Sequence, residues 1–104
     1  MMSDLSELQR RAAGITRRYE AAFGIAPGED WIVFKLQEEL GELTQAYLAA
    51  TGRSRHRAEA AGSPERLGQE IADVVGFALA LAERLGIDAG AALETKWMRY
   101  EAEP

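Results

Sequence analysis

The sequence predicts an all-α fold, a small four-helix bundle occupying residues 1–104 as one domain. Apolar residues recur at alternating spacings of three and four along each long segment, the period of one helix face. Helix start and stop residues stand where those patterns begin and end. No stretch shows strand alternation, an internal repeat or a low-complexity tract. The first helix is expected from about Asp4 to Phe23, with Ser3 as N-cap. Leu5, Leu8, Ala12, Ile15, Tyr19 and Ala22 form its packing seam. Gly24, Pro27 and Gly28 break it. The second helix runs from near Asp30 to about Thr51, where Gly52 can close it. A polar loop from Gly52 to Gly62 carries Arg53, Arg55, His56 and Arg57. Ser63 and Pro64 restart the chain as N-cap and first helical residue. The third helix ends near Leu85, with Gly86 as its stop. Asp88 caps a short fourth helix that includes Leu93, Lys96, Trp97 and Tyr100. A chain of 104 residues has a limited core, so the long apolar faces are expected to be covered partly by a second subunit.

Composition narrows the function classes. A net charge of −5 argues against a nucleic-acid groove or an anionic membrane surface as the main partner. With no cysteine, disulfides, zinc–thiolate sites and thiol catalysis are excluded. Met1 to Asp4 is not a basic leader and no apolar segment follows it. No apolar run approaches the ~20 residues of a membrane span, so a cytoplasmic location is expected.

Two acidic clusters carry the functional information: Glu38-Glu39-Leu40-Gly41-Glu42 and Glu70-Ile71-Ala72-Asp73. At ~100° per residue, Leu36, Leu40, Leu43, Tyr47 and Ala50 share the expected core face of the second helix. Trp31, Lys35, Glu38, Glu39 and Glu42 form the neighbouring stripe. On the third helix the expected core face is Leu67, Ile71, Val74, Ala78, Leu81 and Leu85, with Glu70 and Asp73 on its border. Five carboxylates meeting at the edge of a core are unfavourable without a positive charge among them. A hard divalent cation such as Mg²⁺, itself holding a phosphate, is the natural occupant. A lone E-x-x-E is commonly a solvated helix face. Two such clusters beside two apolar seams are a stronger signal. Gly41, costly by ~1 kcal/mol in a helix interior, hints at a close approach to the backbone or a packing contact.

The paired pattern, with Phe34-Lys35-Leu36-Gln37 before it, Asp73-Val74-Val75 after it and Leu81-Ala82-Glu83-Arg84-Leu85-Gly86-Ile87-Asp88 further on, resembles the MazG-like all-α nucleoside triphosphate pyrophosphohydrolases over about residues 31–100. The resemblance implies Mg²⁺-dependent hydrolysis of a (deoxy)nucleoside triphosphate to monophosphate and pyrophosphate, with Mn²⁺ as a possible substitute metal, in nucleotide-pool housekeeping. It implies Glu39, Glu42, Glu70 and Asp73 as metal ligands and Glu38 as the remaining acid, which orients or deprotonates the attacking water or joins a second metal; whether Glu38 or Glu39 stands closer to the water is left open. Lys96 and, more weakly, Arg99 match a terminal phosphate-binding element, although the Asn common after that Lys is missing here. Lys35 shares the acidic stripe and is a further phosphate contact. Trp31 either stacks on a base or packs in the core, and Phe77 and Trp97 share that ambiguity. His56, the only histidine, sits in the loop and cannot complete the Glu-x-x-His set of a di-iron bundle. An EF-hand is excluded because the acids lie in helices. A phosphoribosyl-ATP pyrophosphohydrolase-like enzyme and a non-catalytic oligomerisation or nucleotide-sensing module are the alternatives. The resemblance further implies a homodimer or homotetramer, in which neighbouring subunits could share the site.

Overall fold

A computed structural model describes residues 4–26, 28–53 and 63–102. The described residues form four α-helices, α1 (Leu5–Phe23), α2 (Asp30–Ala50), α3 (Pro64–Arg84) and α4 (Ala89–Lys96), then a 3₁₀ turn, Met98–Ala102. They contain no strand. No helix among them is long and apolar enough to cross a membrane. Two compact units are distinguished, residues 1–29 with 79–104, and residues 30–78. The expected caps at Ser3 and the basic run Arg55, His56 and Arg57 lie outside the described residues.

The first unit holds α1, the end of α3, α4 and the 3₁₀ turn. The Asp4 side chain caps α1 by accepting from the Glu7 N–H at 2.8 Å, so the cap falls one residue after the expected Ser3. Gly24 ends the helix at φ 64°, where a Cβ would be strained, and the Ile25 N–H donates to Glu20 O at 2.9 Å. Gly86 ends α3 in the same way, at φ 70°, with the Ile87 N–H donating to Ala82 O at 2.8 Å. Asp88 caps α4 by accepting from the Ala91 N–H at 3.0 Å.

The buried face of α1 is not the expected apolar seam. Gln9, Ala13, Thr16 and Glu20 are buried, whereas Leu8, Ile15, Tyr19 and Phe23 are exposed. The reason is Arg84. Its guanidinium makes a two-pronged ion pair with Glu20, Nη2 to Oε1 at 2.6 Å and Nη1 to Oε2 at 2.7 Å. It also donates to Thr16 Oγ1 and Gly28 O, each at 3.2 Å. Gln9 holds the α3–α4 turn by donating to Glu83 Oε1 and Ile87 O and accepting from the Ala89 N–H. A buried arginine needs polar neighbours more than a leucine seam needs cover. Arg84→Met would leave the buried Glu20 carboxylate without its arginine. It is expected to destabilise the fold by about 3–5 kcal/mol, read as a fall in the urea midpoint, with Glu20→Gln/Arg84→Met recovering part of the loss.

The fourth helix is shorter than expected. It stops at Lys96, with Trp97 as C-cap, and Tyr100 lies in the 3₁₀ turn. Residues 91–102 are all exposed, so no buried face extends the α-helix past its weak intrinsic propensity.

The second unit pairs α2 with most of α3. Ser63 Oγ accepts from the Arg66 N–H at 3.1 Å, with Pro64 as the first helical residue, as expected. Gly52 at φ 74° closes α2, and the Arg53 N–H donates to Leu48 O at 2.7 Å. The helices run antiparallel, since Trp31 meets Phe77, Glu39 meets Glu70 and Asp73, and Tyr47 meets Leu67 around a shared hollow. The buried line of α2 is Ile32, Glu39 and Ala46. It is rotated from the expected core face toward the acidic stripe: Leu40 and Tyr47 are exposed, as is Ile71 on α3. Ile32 and Glu70 are the largest fully buried side chains. A Cβ at Gly41 would meet nothing within 4 Å, so a close approach does not explain that glycine.

Candidate metal centre

Glu39 comes from the middle of α2, and Glu70 and Asp73 stand nearly one turn apart on α3. One carboxylate oxygen from each lies within 4.8 Å of the other two. Glu70 is 2% exposed and Glu39 is 6% exposed, while Asp73 faces solvent. The buried pair comes from two different helices, so only the α2–α3 pairing assembles it.

The second oxygens of the buried pair set this cluster apart from an ordinary acidic helix face. Oε2 of Glu39 and Oε2 of Glu70 are buried and have no hydrogen-bond partner. Each unsatisfied carboxylate oxygen carries a desolvation cost that folding alone does not repay. The first oxygens have cations. Lys35 Nζ lies 3.7 Å from Glu39 Oε1 and donates to Glu38 Oε1 at 3.2 Å. Arg66 Nη2 lies 2.7 Å from Glu70 Oε1. Both cations stand one turn before the glutamate they pair with.

The electrostatics follow from this crowding. The Glu39 carboxyl is pushed up to about 7. Burial is the main cause, followed by a hydrogen bond with Glu42 and the negative charges of Glu42 and Asp73. Lys35 acts in the opposite direction. Near neutral pH a proton therefore offsets part of the charge in the cluster. A divalent cation would offset more of it and satisfy the bare oxygens. Carboxylate oxygens alone are the donor set of hard ions such as Mg²⁺ and Mn²⁺. Asp73 opens the cluster to solvent on one side.

The sequence-predicted residues distribute as follows. Glu39, Glu70 and Asp73 converge. Glu42 is exposed and close enough to Glu39 to raise its carboxyl pKa, outside the three converging oxygens. Glu38 points outward and is paired with Lys35. Trp31 is half-buried with its ring edge-to-face against Phe77, centroids 6.3 Å apart. Lys96 and Arg99 belong to the first unit. Lys96 is exposed in the last turn of α4. Arg99 donates to Tyr100 Oη at 2.8 Å and lies over that ring. Arg66 escaped the sequence reading. Its signal was its place four residues before Glu70, the same spacing that relates Lys35 to Glu39.

No family model, curated protein or solved structure matches this chain.

Proposed function

We propose that this chain is a divalent-metal-dependent nucleoside triphosphate pyrophosphohydrolase, a cytoplasmic enzyme cleaving (d)NTP to (d)NMP and pyrophosphate. One observation carries the reading. Glu39 and Glu70, placed where the paired acidic motif resembles that of MazG-like enzymes, each bury one unpartnered carboxylate oxygen and converge with Asp73. Glu39, Glu70 and Asp73 would hold Mg²⁺ or Mn²⁺, with Glu42 joining them when it releases Glu39. Such an ion would neutralise phosphate charge and acidify a water. The protein's own side chains position the triphosphate and take the proton. Lys35, half-buried beside Glu38 and Glu39, supplies positive charge to a phosphate oxygen. Glu38, which points outward against Lys35, would turn toward the cluster to accept the water's proton, releasing Lys35 to the phosphate. Phosphoryl displacement depends mostly on such positioning and charge neutralisation.

A homo-oligomer accompanies this reading. In the second unit Leu40, Tyr47, Ile71 and Val75 are all exposed, beside an apolar hollow lined by Leu43, Thr44, Tyr47, Leu67 and Ile71. A two-helix unit with that much uncovered apolar surface is expected to bury it against a second copy.

Incubation with Mg²⁺ and a panel of ribo- and deoxynucleoside triphosphates tests the activity. Pyrophosphate release from at least one of them, abolished by EDTA, is expected. Turnover of none, with either Mg²⁺ or Mn²⁺, overturns the enzyme reading. A Mg²⁺-dependent rise in Tm without turnover would instead favour a nucleotide-sensing module.

A further inference from the structure

The cluster has a cation that the acidic motifs do not account for. Arg66 Nη2 sits 2.7 Å from Glu70 Oε1, and the Arg66 side chain is 46% exposed. Glu70 is fully buried, so this contact fixes one edge of a guanidinium against a rigid partner. A guanidinium presents five N–H donors in a planar fork, and one carboxylate oxygen engages only part of it. Asp73 lies two turns further along the same stripe of α3. Arg66 therefore flanks the cluster at its Glu70 end, ~10 Å along the helix axis from Asp73, with nearly half of its side chain open to solvent.

We propose that Arg66 is a phosphate-binding residue of this site, oriented by Glu70 and offering the remainder of its fork to an oxyanion beside the carboxylate cluster. The inference rests on the metal-dependent triphosphate reading above. It names a residue that reading does not contain. The two buried glutamates then have parallel surroundings. Lys35 precedes Glu39 by one turn and Arg66 precedes Glu70 by one turn, so each helix supplies one buried carboxylate and one cation. Arginine suits the α3 position because a planar fork can hold a carboxylate and a phosphate at once, whereas an ammonium is a point charge. A guanidinium already held in place also binds an anion with little loss of side-chain freedom.

The test uses the full chain and inorganic tripolyphosphate as the probe, by calorimetry at saturating Mg²⁺, with Mg²⁺ binding measured separately. Arg66→Gln is expected to weaken tripolyphosphate binding about 10- to 100-fold. Mg²⁺ binding without phosphate should be no weaker than in the wild type, because a competing positive charge has been removed. Arg66→Lys should recover part of the tripolyphosphate affinity. Should Arg66→Gln not fold, Arg66→Lys decides alone. Weaker tripolyphosphate with unchanged Mg²⁺ supports the proposal, and wild-type affinity for both overturns it. Loss of Mg²⁺ binding in Arg66→Gln also overturns it, since Arg66 would then only position Glu70. A wild-type protein that does not bind tripolyphosphate is a third overturning result. Nucleoside triphosphate turnover is scored apart. A wild type that binds metal and tripolyphosphate in an Arg66-dependent way and hydrolyses no nucleotide supports Arg66 while sinking the pyrophosphohydrolase reading.

Discussion

Glu70→Gln is expected to lower nucleoside triphosphate turnover on the order of 10³-fold, equivalent to ~4 kcal/mol of lost transition-state stabilisation. It should also abolish the Mg²⁺-dependent rise in Tm. Glu70 is the most deeply buried of the acids and contributes one of the three converging oxygens. The amide is nearly isosteric, so the loss cannot be assigned to a cavity. It removes the charge, and one of its two positions becomes a donor that repels a cation. Arg66, nearly half exposed, can keep donating to the amide oxygen or turn to solvent, either at small cost. The folded state should therefore persist, and circular dichroism without metal should match the wild type. Glu65→Gln is the control, being exposed in the first turn of the same helix. It should retain turnover within a few-fold and keep the Mg²⁺ response. Turnover by Glu70→Gln within tenfold of wild type would remove the cluster from the reaction.

The parts of the fold set by neighbouring residues were legible in the sequence. Ser63 with Pro64, Asp88, Gly24, Gly52 and Gly86 each act within a few positions of themselves. Their hydrogen bonds and positive φ values appear where the pattern put them. The choice of buried face was not legible, because it depends on partners far along the chain. Gln9 and Glu20 lie outside the apolar seam of α1, and they are buried because Glu83, Ile87, Ala89 and Arg84 come to meet them. The same limit applies at the acidic cluster. The spacing put five carboxylates on adjoining stripes, and it could not say which would turn inward. The rotation of α2 against α3 decided that, burying Glu39 while leaving Glu38 and Glu42 outside. Arg66 was overlooked for a related reason. An Arg four residues before a Glu is an ordinary surface pair, and it matters here only because Glu70 is buried.

Glu39→Gln should separate stability from function most clearly. The native Glu39 carboxyl is raised from 4.5 to about 7, chiefly by burial and then by the hydrogen bond with Glu42. The folded state thus holds this proton more tightly than the unfolded chain does. The associated stability is fully present below about 4.5 and is lost as pH rises through about 7. Metal-free protein should therefore melt at lower temperature at pH 8 than at pH 6 through this group. Mg²⁺ must displace the same proton, so its stabilising effect should grow over that interval. Glu39→Gln removes the titration. Its metal-free Tm should exceed the wild-type value at pH 8, vary less between pH 6 and 8, and rise little with added Mg²⁺. Thermal melts at both pH values, with Mg²⁺ and with EDTA, read all of this in one series. If Glu39→Gln is instead less stable than wild type at pH 8 in EDTA, the carboxylate is stabilising the fold on its own account. The cost of gathering these acids, borne until a cation binds, would then not exist. If the expected order holds, the chain has kept a destabilising buried glutamate that folding does not need, as a site built to receive a positive charge requires.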